Sequence, residues 1–242
     1  ISCTMQENRL TAVCEKGNIQ IIPYADNVIQ FIYTPIGGDG EIISPMWGIE
    51  ARPDSNVHVS FDKDNFETYF GISGIRTVLH ENGSVSFNDA SGRELLTLLD
   101  YSLEPAVVLG ESTYHIRAEF SASEDERYFG LGQHQDGKLN LGKREQILWH
   151  DYSHKGGEIV AVPFMVTNKR YGVVFDNPSR MKVTPGIEGH TIWQAEVGEE
   201  ISFFLITGKE TNDIYKGFRL LTGVTPLPPR KGLGFIQCKQ RY

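Results

Sequence analysis

Apolar positions along this chain come in short bursts of four to eight residues, broken by Gly, Asn and Asp, and strand periodicity dominates. Asn18 to Ile22, Val28 to Thr34, Val57 to Phe61 and Phe66 to Phe70 are rich in Val, Ile, Phe, Tyr and Thr, and read as strands. Gly74 to His80 and Ser84 to Phe87 flank Glu81-Asn82-Gly83, where Asn-Gly suits a type I′ hairpin turn. Asp89-Ala90-Ser91-Gly92 marks a second turn. Further strands are predicted at Tyr114 to Phe120, Val160 to Thr167, Tyr171 to Phe175, Met181 to Thr184, Thr191 to Glu196 and Glu200 to Thr207. Gly37 to Gly40 and Ala51 to Asn56 read as loops. Only one segment has helical spacing: Ile214, Phe218 and Leu221 fall at i, i+4 and i+7, Thr211 or Asn212 can cap it, and Gly223 stops it. Many short strands with one late helix point to an all-β chain, a large antiparallel β-sandwich with one short helix near its C-terminus.

The prolines at 226, 228 and 229 stiffen a connector over Thr222 to Arg230, the one linker in the chain. The apolar run Leu233 to Ile236 then reads as the opening of a buried strand. The expected organisation is a sandwich over 1–222, with 223–242 a linker and the truncated start of a further domain.

Composition narrows the function. Hydrophobic residues make up 40% of 242, enough for a sizeable core. A net charge of -8 argues against nucleic acid, whose binding rests on Lys and Arg neutralising phosphate. No stretch has the apolar length of a membrane span. Cys3, Cys14 and Cys238 form neither a disulfide framework nor a zinc spacing. Ile1-Ser2-Cys3 reads either as the remnant of a lipoprotein cleavage site, with lipid anchoring through Cys3 and a periplasmic or extracellular location, or as an arbitrary start with a free thiol. No cofactor or metal is expected. Asp62-Lys63-Asp64-Asn65 is not a calcium loop, because Glu67 stands where that loop needs Gly. His150 and His154 lack the helical context that makes their spacing a metal site.

Two constellations are dense in chemistry. Tyr128 to Asp136 (YFGLGQHQD) is either a turn presenting Gln133 to Asp136 to a ligand or a tight β corner with structural glycines. Trp149 to Gly157 (WHDYSHKGG) packs rings, a carboxylate and imidazoles into a loop, as sugar sites do; the alternative is a solvated loop with one buried Trp. Asp176-Asn177-Pro178-Ser179 reads as a turn after a strand. Of the 31 Asp and Glu, no two are paired by any sequence rule as acid and base.

Tyr128-Phe129-Gly130-Leu131-Gly132-Gln133, followed by Val162 to Thr167 and Tyr171 to Pro178, resembles the N-terminal β-sandwich, of galactose mutarotase-like fold, of glycoside hydrolase family 31. Pro226 to Pro229 and Leu233 to Tyr242 resemble that family's entry into a (β/α)8 barrel. The resemblance implies an α-xylosidase or α-glucosidase acting on oligosaccharides by retention, with both catalytic aspartates on a downstream barrel and none in this chain. It also implies substrate contacts from Trp149, Asp151 and Tyr152 at the barrel mouth, and from Gln237 and Lys239 if Phe235 to Cys238 is the first barrel strand. Two other roles remain open. One is an independent carbohydrate-binding module using Trp47, Trp149 and Trp193 as a platform. The other is a structural interaction domain without sugar contact.

Overall fold

Burial alternates with period two along several strands and is continuous along others, and this difference sets the layering. The computed structural model describes residues 2–37, 44–46, 48–64, 66–134, 137–149 and 160–235. In chain order they form β1 (Ser2–Gln6), β2 (Arg9–Val13), β3 (Gly17–Ala25), β4 (Val28–Pro35), β5 (Ser60–Lys63), β6 (Glu67–Gly71), β7 (Ile75–His80) and β8 (Val85–Asp89). The long pair β9 (Glu94–Val108) and β10 (Glu111–Ser121) follows, then β11 (Tyr128–Gln133), β12 (Gln146–Leu148) and β13 (Val160–Thr167). The series ends with β14 (Tyr171–Phe175), β15 (Met181–Ile187), β16 (His190–Gly198), β17 (Ile201–Thr207) and helix α1 (Thr211–Thr222). One sheet runs β1-β2-β3-β4-β17-β14-β13-β11; the other runs β12-β15-β16-β10-β9-β8-β7-β6-β5. Among the described residues every strand pair is antiparallel, as the sandwich reading predicts.

The two sheets enclose the main core. Phe203 stacks on Phe31 at 5.0 Å and meets Phe87 and Phe120 edge-on at 6.0 and 5.3 Å. β15 and β16 alternate inward and outward because only their inner face is covered. β17, in contrast, is buried at all seven positions. Its Phe203 and Leu205 join the inter-sheet core, while Phe204 and Ile206 point outward into a second cluster beneath α1. In that cluster Phe218 stacks on Phe164 at 4.2 Å, beside Ile214 and Leu221. The amphipathic stripe of α1 thus covers the outer face of the first sheet.

Several local expectations change. The helix is capped by Glu210 rather than Thr211 or Asn212: the Glu210 N–H donates to the Asp213 carboxylate at 3.1 Å. The Asn82-Gly83 hairpin is not type I′, since Gly83 alone takes positive φ (87°). The His80 N–H reaches Ser84 O at 3.0 Å and the Gly83 N–H reaches His80 O at 2.9 Å, a three-residue loop with a left-handed glycine. Val57 to Val59 lies outside β5, and the Asn8 amide takes the Ser55 and Val57 carbonyls out of any ladder. The expected strand at Leu233 is instead a 3-10 turn at Arg230–Leu233, with Leu233 and Phe235 exposed. Residues from Ile236 onward, including Gln237 and Lys239, lie outside the described residues. β9 escaped the pattern because a bulge between Leu98 and Asp100, facing Glu119 and Phe120, leaves Leu99 exposed and breaks the alternation.

Candidate functional site

The Tyr128 to Gln133 motif is a strand, β11, and its two glycines have a steric cause. Gly130, Leu131 and Gly132 all take positive φ (100°, 59° and 100°), and the register against β13 jumps between Gly130↔Met165 and Gly132↔Ala161. A Cβ on Gly132 would lie 1.8 Å from the Val160 carbonyl oxygen, and one on Gly130 would lie 2.4 Å from that of Phe164. Only glycine fits either position. The bulge turns Leu131 fully into the core and leaves Gln133 exposed, paired with Val160. Gln135 and Asp136 lie outside the described residues.

Next to this edge is a cleft of about 770 Å³, walled by Met46, Leu148, Trp149, Pro163, Pro178 and Met181 among others. The topology makes it. β13 lies near one edge of the first sheet, and β12 and β15 close the edge of the second, so their ends leave a gap between the sheets. Leu148 is the last residue of β12 and is buried, whereas Trp149 emerges from the strand half exposed. Proline at 163 and 178 and the thioethers of Met46 and Met181 provide apolar walls, with Asn177 and Ser179 as polar points.

One rim is tied down by a buried carboxylate. Asp176, at the end of β14, is 2% exposed and accepts hydrogen bonds from Ser44 Oγ and, at 3.0 Å, from Ser202 Oγ. Gln30 Nε2 donates to Ser202 Oγ at 3.0 Å, and Tyr24 Oη donates to Gln30 Oε1 at 2.9 Å. Ser44 precedes Pro45 and Met46, and Asp176 precedes Asn177 and Pro178, so this network fastens two stretches of the cleft wall to the sheet. Burial raises the Asp176 carboxyl above the ordinary carboxylate range. Burial, and then the charge of Asp176, push Glu200 up to about 7.

Of the sequence-predicted contacts, Trp149 is in the cleft wall. Asp151 and Tyr152, like His150 and His154, lie outside the described residues. Trp193 does not join Trp149: it is fully buried between the sheets, 4.9 Å from the Phe175 ring, so a platform including Trp193 is excluded. Trp47 is outside the described residues. Sequence reasoning missed Met46 and Met181, whose apolarity marks nothing by itself. It also read Asp176 to Ser179 only as a turn, although a carboxylate directly after the all-buried β14 was an available signal. Among the described residues no group of three or more His, Cys, Asp or Glu could hold a metal, and no helix is long and apolar enough to cross a membrane. Cys3 and Cys14 are free; Cys3 accepts a hydrogen bond from Thr68 Oγ1 at 3.3 Å.

A galactose mutarotase-like sandwich with this bulged β11 edge and its adjoining cleft defines the class. Residues 18–183, more than half of the chain, match the glycosyl hydrolase 31 N-terminal galactose mutarotase-like domain, and the chain belongs to that family. It is similar to the alpha-xylosidase of Saccharolobus solfataricus, 29% identical over 240 residues covering 93% of this chain and 31% of the relative. Its fold is shared with a GH31 alpha-xylosidase from a soil metagenome, solved with xylose (TM-score 0.78, 22% identity, 95% of this chain and 36% of that one). It is shared equally with a Flavobacterium johnsoniae GH31 dextranase, solved with isomaltotriose (TM-score 0.81, 17% identity, 97% of this chain and 29% of that one). The chain therefore spans about a third of the length of these relatives.

Proposed function

We propose that this chain is the non-catalytic N-terminal domain of a retaining α-glycosidase, an α-xylosidase or α-glucosidase that removes terminal α-linked sugars from oligosaccharides. In this reading the sandwich supports a downstream catalytic barrel, and the Trp149 cleft helps shape the substrate entrance. The observation that carries the reading is the cleft itself: a half-exposed Trp149 beside apolar walls, in a domain whose relatives include alpha-xylosidases. An indole face covers the C–H surface of a sugar ring, and polar groups at the rim take its hydroxyls. Such contacts orient substrate rather than perform chemistry.

The test uses the full-length enzyme with Trp149→Ala, Asp151→Ala and Tyr152→Ala, made singly. Loss of an entrance contact lowers kcat/KM for oligosaccharides about tenfold, or roughly 1.4 kcal/mol, with a smaller loss on aryl glycosides. Residues 1 to 242 alone turn over neither aryl α-glucosides nor aryl α-xylosides. Equal kinetics on long and short substrates for all three variants, with stability intact, removes the loop from the entrance. Turnover by the isolated chain that responds to point mutations within it overturns the non-catalytic assignment.

A further inference from the structure

A second, unrelated cluster lies on the solvent face of the nine-stranded sheet. The β5–β6 and β7–β8 hairpins there present a groove of about 480 Å³ lined by Phe66, Glu67, His80, Glu81 and Asn82. The groove is shallow and open to solvent on one side. Phe66 is 68% exposed, so its ring is open to a ligand at the groove. Its backbone is held nonetheless. Asp64 Oδ1 accepts from the Phe66 N–H at 2.8 Å and the Glu67 N–H at 2.7 Å, and the Asp64 N–H returns to Glu67 O at 3.0 Å. The ring projects from a pinned turn, so little backbone entropy is lost when something stacks on it.

The polar side of the groove is equally fixed. Glu67 Oε1 lies 2.8 Å from His80 Nδ1, and His80 Nε2 lies 2.8 Å from Ser86 Oγ, which is 3.0 Å from Thr97 Oγ1. Tyr69 Oη donates to the other Glu67 oxygen. This row crosses β6, β7, β8 and β9 and locks the Glu67 carboxylate and the His80 ring in one orientation. At the turn, Asn82 Oδ1 is taken by Ser84 N–H at 3.0 Å and Ser84 Oγ at 2.7 Å, which fixes the amide and leaves its Nδ2 donors without a partner among the described residues. The Glu81 carboxylate has none either.

From this geometry we infer that the Phe66 groove is a surface glycan-binding site, separate from the Trp149 cleft, that takes a neutral sugar ring on the Phe66 face. Phe66 covers the C–H side of the ring, Glu67 and Glu81 accept from its hydroxyls, and Asn82 donates. The local charge selects the class of glycan. Asp62, Asp64, Glu67 and Glu81 outnumber Lys63 and His80, so uronate or sulfated chains are repelled. The site does not depend on the reading of the Trp149 cleft. Its role is to hold a polymeric or branched substrate near the enzyme.

The test titrates the 242-residue chain, followed by amide chemical shifts, with maltoheptaose, with a xylose-branched glucan oligosaccharide and with an oligogalacturonate. The neutral glycans bind with Kd on the order of 1 mM. The largest shifts fall at Phe66, Glu67, Glu81 and Asn82, and the uronate does not bind. Phe66→Ala weakens binding by roughly fivefold, as loss of one ring face predicts. Phe66→Trp retains it, and Val107→Ala, at an exposed position outside both sites, leaves it unchanged. Phe66 is exposed, so Phe66→Ala keeps the wild-type melting temperature and serves as its own folding control. The inference is overturned if no neutral glycan saturates at tenfold that concentration, if Phe66→Ala binds as tightly as wild type, or if the largest shifts fall around Trp149 instead.

Discussion

Replacing Glu200 by Gln should remove most of the pH dependence of this domain's stability above pH 5. Glu200 directly precedes β17. The ladder with β4 begins one residue later, at Ile201↔Tyr33. The nearby Asp176 is already occupied by Ser44 and Ser202. Burial and this neighbouring charge push Glu200 from the ordinary 4.5 up to about 7. The folded state therefore holds a proton that the unfolded state releases, and stability falls as pH rises from the unfolded value through the folded one. At about 1.4 kcal/mol per pH unit, the full interval amounts to about 3 kcal/mol. Glu200 keeps some access to water, which leaves an expected loss of about 2 kcal/mol between pH 5 and pH 8. Asp176, raised in the same direction, adds to the slope at lower pH. Below about pH 4 the sign reverses, because Lys169 and Lys216 hold Asp125 and Asp213 below their ordinary range and protonation breaks those pairs. Urea unfolding of the isolated chain at pH 5, 6, 7 and 8 measures the effect. Glu200→Gln should be the more stable protein at pH 8, by about 2 kcal/mol or roughly 4–8 °C in Tm, and match wild type at pH 5. If the variant keeps the wild-type slope, or is less stable at pH 8, the assignment of the slope to this carboxylate is refuted.

Two stability predictions come from packing. Gly132→Ala combines φ of 100° with a Cβ at 1.8 Å from the Val160 oxygen, and should cost at least about 3 kcal/mol in denaturant unfolding. Gly92→Ala, at φ 85° with open space around it, should cost only about 1 kcal/mol, which separates dihedral strain from collision. Tyr171→Phe removes the hydroxyl that donates to Glu126 Oε1 at 2.6 Å. It leaves that 6%-exposed carboxylate with the Ser123 N–H at 3.2 Å and the Tyr128 hydroxyl, a loss of about 1 kcal/mol by the same assay.

The strands legible in the sequence were those whose burial follows a simple period. Val28 to Thr34, Tyr171 to Phe175 and Glu200 to Thr207 are mostly apolar runs whose strands are buried almost throughout, and burial along Thr191 to Glu196 alternates cleanly, so the local pattern carries the element whatever lies across from it. α1 was legible because its stripe faces one surface, the outer face of β14 and β17. The local pattern could not indicate where a bulge resets the alternation, as at Leu98 to Asp100, because a bulge is a relation between two strands. The same limit governed the glycine motif. Gly130 and Gly132 are visible as glycines, but the Phe164 and Val160 carbonyls that require them come from a strand thirty residues away. Trp149 and Trp193 are the same residue type next to similar strand signals. One emerges at a sheet edge while the other lies under Phe175, and only the stacking of the two sheets decides which. Glu200 and Asp176 are two of many carboxylates in the sequence. Their raised affinity for protons exists because folding takes both from water and, for Glu200, sets it near the charge of Asp176, and no local pattern records that.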